Sequence, residues 1–270
     1  MPTARIGDIN IHYTICGEGE PLLLIMGYRG SGFMWGEEFI TLLTRHFQVI
    51  YFDNRGTGLS DKPETLYTIP MMADDAAGLL RHLGVRQTHV FGVSMGGMIA
   101  QEFALRYPQM VRRLVLGCTS CGGPQAFLAS LPVLEKLLYP LDMPREEAVR
   151  RPWTVMFSPW FLEARKDFLE VLTQRALLHP APPQTSIRHL MAVQRFNTYG
   201  RLGLITAPTL VVTGDNDLIV PLANSRLLAS RIGGASLEVV PDTGHGFFWE
   251  ASQEVVALLH TFLYAISSRL

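Results

Sequence analysis

Gly92, Ser94 and Gly96 form a Gly-x-Ser-x-Gly motif between an apolar strand pattern, HVFGV, and a helical pattern, MGGMIAQEFALRY. That joint constrains the fold more than any other stretch of the chain. A backbone that leaves a strand and enters a helix within a residue or two brings both elements so close that side chains on the flanks collide, which calls for glycine on each side. A serine held on such a turn has its hydroxyl lifted clear of the sheet, at the positive end of the helix dipole. The competing readings are an idle serine in a tight turn, or a phosphate cradle at the helix N-terminus. The chain carries neither the GxGxxG nor the GxxxxGK[ST] pattern that nucleotide cradles use, so Ser94 reads as a nucleophile.

The rest of the chain supplies the sheet this turn requires. PLLLIMG, FQVIYFDNRG, HVFGVSMGG, RRLVLGCTS, APTLVVTGD and ASLEVVPDTGHG are short apolar runs ended by Gly, Asp or Ser, and each is predicted to be a buried strand. Helical patterns alternate with them, among them EEFITLLTRHF, MMADDAAGLLRHLG, LANSRLLASRIGG and EVVALLHTFLYAIS. Such alternation predicts an α/β fold with a mostly parallel central sheet and helices on both faces. The start, ARIGDINIHYTICGEGEPLLLIMG, reads instead as hairpin-like strands at an antiparallel edge. From 122 to 204 no strand is expected. The helical stretches there, PQAFLASLPVLEKLLYPL, REEAVRRPWTVMF, FLEARKDFLEVLTQRALLH and SIRHLMAVQRFNTYGRL, are cut by Pro140, Pro144, Pro159 and the cluster at 180–183. They are expected to form a helical cap inserted after the sixth strand, over a core domain of residues 1–121 and 205–270. With 270 residues, 48 % of them hydrophobic, the chain can bury one substantial core.

A serine hydroxyl is a weak nucleophile at neutral pH and needs a base oriented by a carboxylate. His245, in DTGHGFFWE after the last strand pattern, falls at the carboxyl edge of the sheet, where ligands bind in open α/β sheets. His89 begins the strand that ends at Ser94 and so lies about 16 Å away at the opposite edge. GDNDLIVP offers two carboxylates. Asp217 stands farther into the loop and is favoured as the acid, leaving Asp215 a turn-capping role. The loop CTSCGG after the preceding strand is the other place for an acid and contains none. For the oxyanion of an acyl-transfer intermediate, the backbone N–H groups of Met95, at the helix start, and Tyr28, in the glycine-rich loop after PLLLIMG, are the candidate donors; the plain alternative for that loop is flexibility. Trp153, Phe157, Trp160, Phe161 and Phe248 are candidates for an apolar substrate pocket under the cap, although each taken alone reads first as packing. Asp53 and Arg55 in FDNRGTGLSD read as loop-stabilising.

Composition narrows the partners. A formal net charge of -1 and 17 % charged residues leave no electrostatic footprint for nucleic acid or an anionic membrane. No apolar run has the length of a membrane span, and the first residues lack a signal-peptide core, so a cytoplasmic protein acting on a small molecule is expected, as a monomer or homodimer. Cys16, Cys118 and Cys121 are too few for a disulfide framework, and the last two read as small buried hydrophobes. No metal or cofactor is called for.

The runs FDNRGTGLSDKP, VFGVSMGGMIAQEFALRYPQMVRRLVLGC, APTLVVTGDNDLIVP and DTGHGFFWE together resemble the α/β-hydrolase superfamily, within it the carboxylesterase and 3-oxoadipate enol-lactonase branch, with FSPWFL in the cap and LITAPTLVV after it as further points of likeness. The order Ser94, Asp217, His245 is that family's order of nucleophile, acid and base. Met26 stands before Gly27 where the family commonly has His. The resemblance implies a cofactor-independent serine hydrolase of carboxylic esters or lactones. Serine at the turn argues against dehalogenases and epoxide hydrolases, which carry Asp there, while carbon–carbon bond hydrolases, perhydrolases and a ligand receptor with a vestigial triad stay open. An enol-lactonase would need a base to grip a substrate carboxylate, for which Arg29, Arg151 and Arg195 are candidates.

Overall fold

Leu22, Leu23, Leu24 and Ile25 are all completely buried, and a strand apolar at every position belongs in the middle of a parallel sheet. The computed structural model, which describes residues 2–138 and 143–265, places it there. Its strands are β1 (Thr3–Ile6), β2 (Ile9–Cys16), β3 (Glu20–Ile25), β4 (Phe47–Phe52), β5 (Thr88–Val93), β6 (Val111–Gly117), β7 (Thr209–Gly214) and β8 (Ser236–Val240), in the order β1-β2-β4-β3-β5-β6-β7-β8. The expected antiparallel edge is the β1/β2 hairpin, turned through Gly7 at φ 56°, with β2 antiparallel to β4. β3 does not belong to that edge as the sequence suggested; it crosses over to lie parallel between β4 and β5.

Alternate residues of each strand feed two cores. Leu23 and Ile25 join the cluster under α2 (Ile69–His82) and α3 (Met95–Arg106), while Leu22 and Leu24 face the other cluster, which contains α1 (Glu37–Leu43). Between β6 and β7 the chain forms α4 (Leu131–Leu137), α5 (Arg145–Arg150), α6 (Trp153–Met156), α7 (Pro159–Ala164), α8 (Lys166–Leu178) and α9 (Pro183–Arg195); α10 (Leu222–Arg231), α11 (Phe247–Glu250) and α12 (Ser252–Tyr264) complete the core. Among the described residues no helix is long and apolar enough to cross a membrane.

The two ends of the segment between β6 and β7 meet beside α3. Gly122 bridges Asn197, the Thr198 N–H donates to the Cys121 carbonyl at 2.9 Å, and the Thr198 hydroxyl donates to Gln101 Oε1 on α3 at 2.7 Å. Cap helices are shorter than their sequence patterns. The stretch 145–157 breaks at Pro152, which has no N–H to continue the ladder, and 161–179 breaks at Arg165, whose φ of -121° leaves the helical region. Of the first stretch only Leu131–Leu137 is helical among the described residues, and it buries no side chain, so it lacks the packing that lengthens a helix in water. Pro140 and the end of the last helical pattern, Ile266 and Ser267, lie outside the described residues.

Asp53 and Arg55 stabilise the loop after β4, as their sequence context suggests. Both Arg55 Nε and Nη2 donate to the Asp75 carboxylate on α2, at 2.6 and 2.7 Å, with both side chains buried. Removing one partner of a buried pair strands the other charge. Asp75→Asn is expected to cost about 3 kcal/mol, read as a lower urea midpoint at unchanged slope; a loss below about 1 kcal/mol would mean the pair is solvated.

Candidate active site

Register places five loops along one edge of the sheet. Ile25 pairs with Gly92, Val93 with Gly117, Gly117 with Val212 and Gly214 with Val240. The segments leaving β3, β5, β6, β7 and β8 therefore emerge side by side, carrying Tyr28, Ser94, Cys118, Asp217 and His245.

Ser94 holds φ 56° and ψ -124°, a conformation costly for any residue but glycine. The turn is over-determined around it: the Ser94 N–H donates to the Gly117 carbonyl at 2.9 Å, its carbonyl accepts from the Gly97 and Met98 N–H groups, and the Thr119 hydroxyl donates to the same carbonyl at 2.7 Å. A Cβ at Gly92 would run into the Gly96 carbonyl, and one at Gly96 into the Ile25 carbonyl. Gly92 thus answers the steric demand read from the sequence, whereas Gly96 makes room for the neighbouring strand β3. Gly27 approaches from β3 so closely that a Cβ on it would stand 3.0 Å from Ser94 Cβ and 3.6 Å from Ser94 Oγ.

The structure brings Asp217 and His245 together. His245 Nδ1 lies 2.8 Å from Asp217 Oδ2, both side chains buried. Asp217 Oδ1 accepts from the Ile219 and Val220 N–H groups at 2.9 and 2.8 Å. A carboxylate facing Nδ1 keeps a proton on that nitrogen, so in the neutral imidazole the lone pair is on Nε2. Burial works against the imidazolium, but the Asp217 charge and hydrogen bond outweigh it and hold His245 well above the ordinary imidazole range. Asp215 does not reach the histidine; its carboxylate accepts from Asn216 and the Thr243 N–H, bracing the turn.

Tyr28 follows β3 and Met95 opens α3 on the same edge, and among the described residues no protein acceptor takes either backbone N–H. The Tyr28 loop is tethered from the β4 side, where Asn54 donates to the Met26 carbonyl at 2.9 Å and the Gly32 N–H donates to Asp53 Oδ1 at 2.6 Å. Of the three candidate arginines, Arg29 lies on this loop, while Arg151 and Arg195 lie in the cap. His89 is at the far edge, 2.7 Å from Glu20 Oε2.

The five candidate pocket aromatics are not brought to one surface. Phe157 packs against Trp249, with centroids 5.6 Å apart, and a Cβ on Gly246, next to His245, would strike its ring. Phe161 stacks behind it at 5.1 Å, and the Trp153 indole N–H donates to Thr173 inside the cap. Phe248 is wedged between Trp35 and Phe39 in the core. Trp160 is 47 % exposed, its indole N–H donating to the Asp242 carbonyl on the outside.

Three side chains beside the site had no signal in the sequence. Cys118, at φ 39° and buried, has its sulfur within 4.8 Å of the facing Asp217 oxygen and His245 nitrogen. Burial pushes its thiol up, so it is neutral at physiological pH. Asp217 meets His245 with one oxygen and two backbone amides with the other. Glu250 on α11 accepts from the Gly244 N–H at 2.8 Å, from the Ser158 N–H at 3.0 Å and from the Ser158 hydroxyl, tying the His245 loop to the cap. His189 on α9 contacts the Tyr28 loop.

Residues 20–252 match the family model described as the alpha/beta hydrolase fold. The chain is 32 % identical to the "Putative carbamate hydrolase RutD" of Azorhizobium caulinodans, over 92 % of each chain. It is also 32 % identical to the poly(3-hydroxyalkanoate) depolymerase of Ectopseudomonas oleovorans, covering 90 % of this chain and 84 % of that one. Among solved structures it is similar to the enol-lactonase from Burkholderia xenovorans, with a TM-score of 0.86 over 97 % of this chain and 99 % of the other at 23 % identity, a likeness of fold.

Proposed function

Because the chain belongs to the α/β-hydrolase family, we propose that the hydrolysis it performs is that of carboxylic esters of small, largely apolar substrates, with Ser94, His245 and Asp217 as its catalytic triad. The observation that carries this reading is the buried 2.8 Å contact of His245 with Asp217, on the sheet edge where Ser94 stands strained above the helix α3 N-terminus. Ser94 Oγ attacks the ester carbonyl while His245 Nε2 takes its proton, and Asp217 fixes the tautomer and stabilises the imidazolium. The carbonyl oxygen becomes an oxyanion held by the Tyr28 and Met95 N–H groups. Collapse expels the alkoxide, which receives the proton from His245 and leaves as the alcohol. Water, deprotonated by the same histidine, then attacks the acyl-serine and releases the carboxylic acid.

Carbamate hydrolysis is a second reading, favoured by the 32 % identical relative named for it; the same attack on a carbamate carbonyl is slower to start, because nitrogen donates into it. Lactones enter through the same chemistry. A fluorophosphonate probe separates this chemistry from a ligand receptor on the same fold. It is expected to label wild-type protein and not Ser94→Ala, and an unlabelled wild type would favour the receptor. A panel of p-nitrophenyl esters of graded acyl length, an N-alkyl carbamate and an enol-lactone then orders the substrates. Short-chain esters are expected to show the highest kcat/KM; faster carbamate or lactone turnover would reverse the ranking.

A further inference from the structure

His189 lies in the cap yet its ring is completely buried against the loops of the core. Its Nδ1 faces the Arg29 backbone N at 3.4 Å, and its Nε2 lies 3.0 Å from the Arg55 carbonyl. Its ring packs on Tyr28 and Tyr67, with centroids 6.3 and 5.7 Å away. Burial, and the Arg29 charge with it, outweigh the Arg55 carbonyl and hold its pKa down to about 4, so the ring is neutral at physiological pH. One tautomer serves both contacts: Nε2–H donates to Arg55 and the Nδ1 lone pair accepts from Arg29. Arg29 sits at φ 61°, a strained position for a non-glycine residue, directly after Tyr28.

We propose that His189 is a positioning residue through which α9 sets the Tyr28 N–H as an oxyanion donor, so that the donor is competent only while the cap is seated. This rests on the proposed role of Tyr28. The peptide plane between Tyr28 and Arg29 turns with the Arg29 N–H, so anchoring that N–H limits how the preceding residue can rotate. Without the anchor the strained loop relaxes, and the donor drifts from the position of the developing charge. Such a residue acts on the transition state more than on substrate binding.

The test compares His189→Phe, which keeps the ring and loses both polar contacts, with His189→Gln, whose amide can donate to Arg55 and accept from Arg29. Removing one oxyanion donor costs about 10²–10³ in kcat; displacing one is expected to cost roughly 10–100-fold. His189→Phe is therefore expected to lose that factor in kcat on p-nitrophenyl acetate with KM within about twofold, and to bind an aryl trifluoromethyl ketone more weakly by a similar factor. His189→Gln should recover most of both. Equal losses in the two variants, or a loss carried by KM alone, would overturn the proposal in favour of cap packing. Amide hydrogen exchange in the segment 26–32 reads the anchor without turnover and is expected to rise in His189→Phe and not in His189→Gln; unchanged exchange would also overturn it. Should His189→Phe not fold, His189→Met carries the same predictions. A wild type that hydrolyses no ester and ignores the ketone would overturn the role of Tyr28 and this proposal's catalytic half with it; the exchange result tells that failure from failure of the anchor.

Discussion

Ser94→Ala is expected to lower kcat on a short-chain p-nitrophenyl ester by about 10⁶-fold, with KM within a few-fold. The hydroxyl is the only group lost. The backbone bonds that hold the turn, from the Gly97 and Met98 N–H groups and the Thr119 hydroxyl to the residue 94 carbonyl, do not involve the serine side chain. Alanine inherits the strain at φ 56° without adding to it. The variant should therefore keep the wild-type melting temperature to within a few degrees, and the lost rate can be read as lost covalent catalysis. The Tyr28 and Met95 N–H groups remain, so a residual acceleration of about 10³–10⁴ over water is expected to survive. Activity within tenfold of wild type in a folded Ser94→Ala protein would show that the nucleophile lies elsewhere.

The parts of this site legible in the sequence are those fixed by local geometry. Gly92, Ser94 and Gly96 declare the turn because the clash of Gly92 with Gly96 is local, although Gly96 also clears the Ile25 carbonyl of the neighbouring strand. Asp217 and His245 can be put forward by position alone, since each follows a strand pattern and parallel strands in a sheet all end on one edge. The parts that were not legible depend on long-range docking. His189 and Glu250 matter because of where the cap settles, and no periodicity in α9 or α11 encodes which core loop each will meet. Cys118 occupies the edge position where an acid was sought and not found, and its nearness to His245 follows from the register of β6 beside β5 and β7. The placement of β3 is not legible for a related reason: the opening stretch reads as hairpin-like strands with no helix between them, while its all-apolar run takes a site buried on both faces. The cap patterns overrun the helices they form because helical periodicity marks a face, not the length of chain that finds something to pack against.

The Cys118 position makes the role of Asp217 testable beyond simple deletion. Asp217→Asn is expected to lower kcat by about 10⁴-fold. The Ile219 and Val220 N–H groups still require an acceptor, so the new side chain turns its oxygen to them and its NH₂ toward His245. Nδ1 must then accept, which puts the proton on Nε2, where it blocks uptake from Ser94. The pH profile should move as well. His245 must be neutral to act as base, and in the wild type Asp217 raises its pKa against the effect of burial, so kcat/KM climbs on the alkaline side of an ordinary imidazole. With the carboxylate gone, burial is opposed only by the weaker influence of Cys118 and the limb shifts to lower pH. Adding Cys118→Asp restores a carboxylate from the end of β6, where the native sulfur already lies within 4.8 Å of the His245 nitrogen that faces it. Aspartate is among the residues that tolerate the positive φ there. The double variant is expected to recover at least about tenfold over Asp217→Asn, a fraction of the roughly 10⁴ lost, and to move the pH limb back toward alkaline. Cys118→Asp alone places two carboxylates on one imidazole and should push that limb further still. A double variant no faster than Asp217→Asn, with an unmoved pH profile, would show that the β6 edge cannot address Nδ1; a loss under tenfold in Asp217→Asn itself would remove Asp217 from the mechanism.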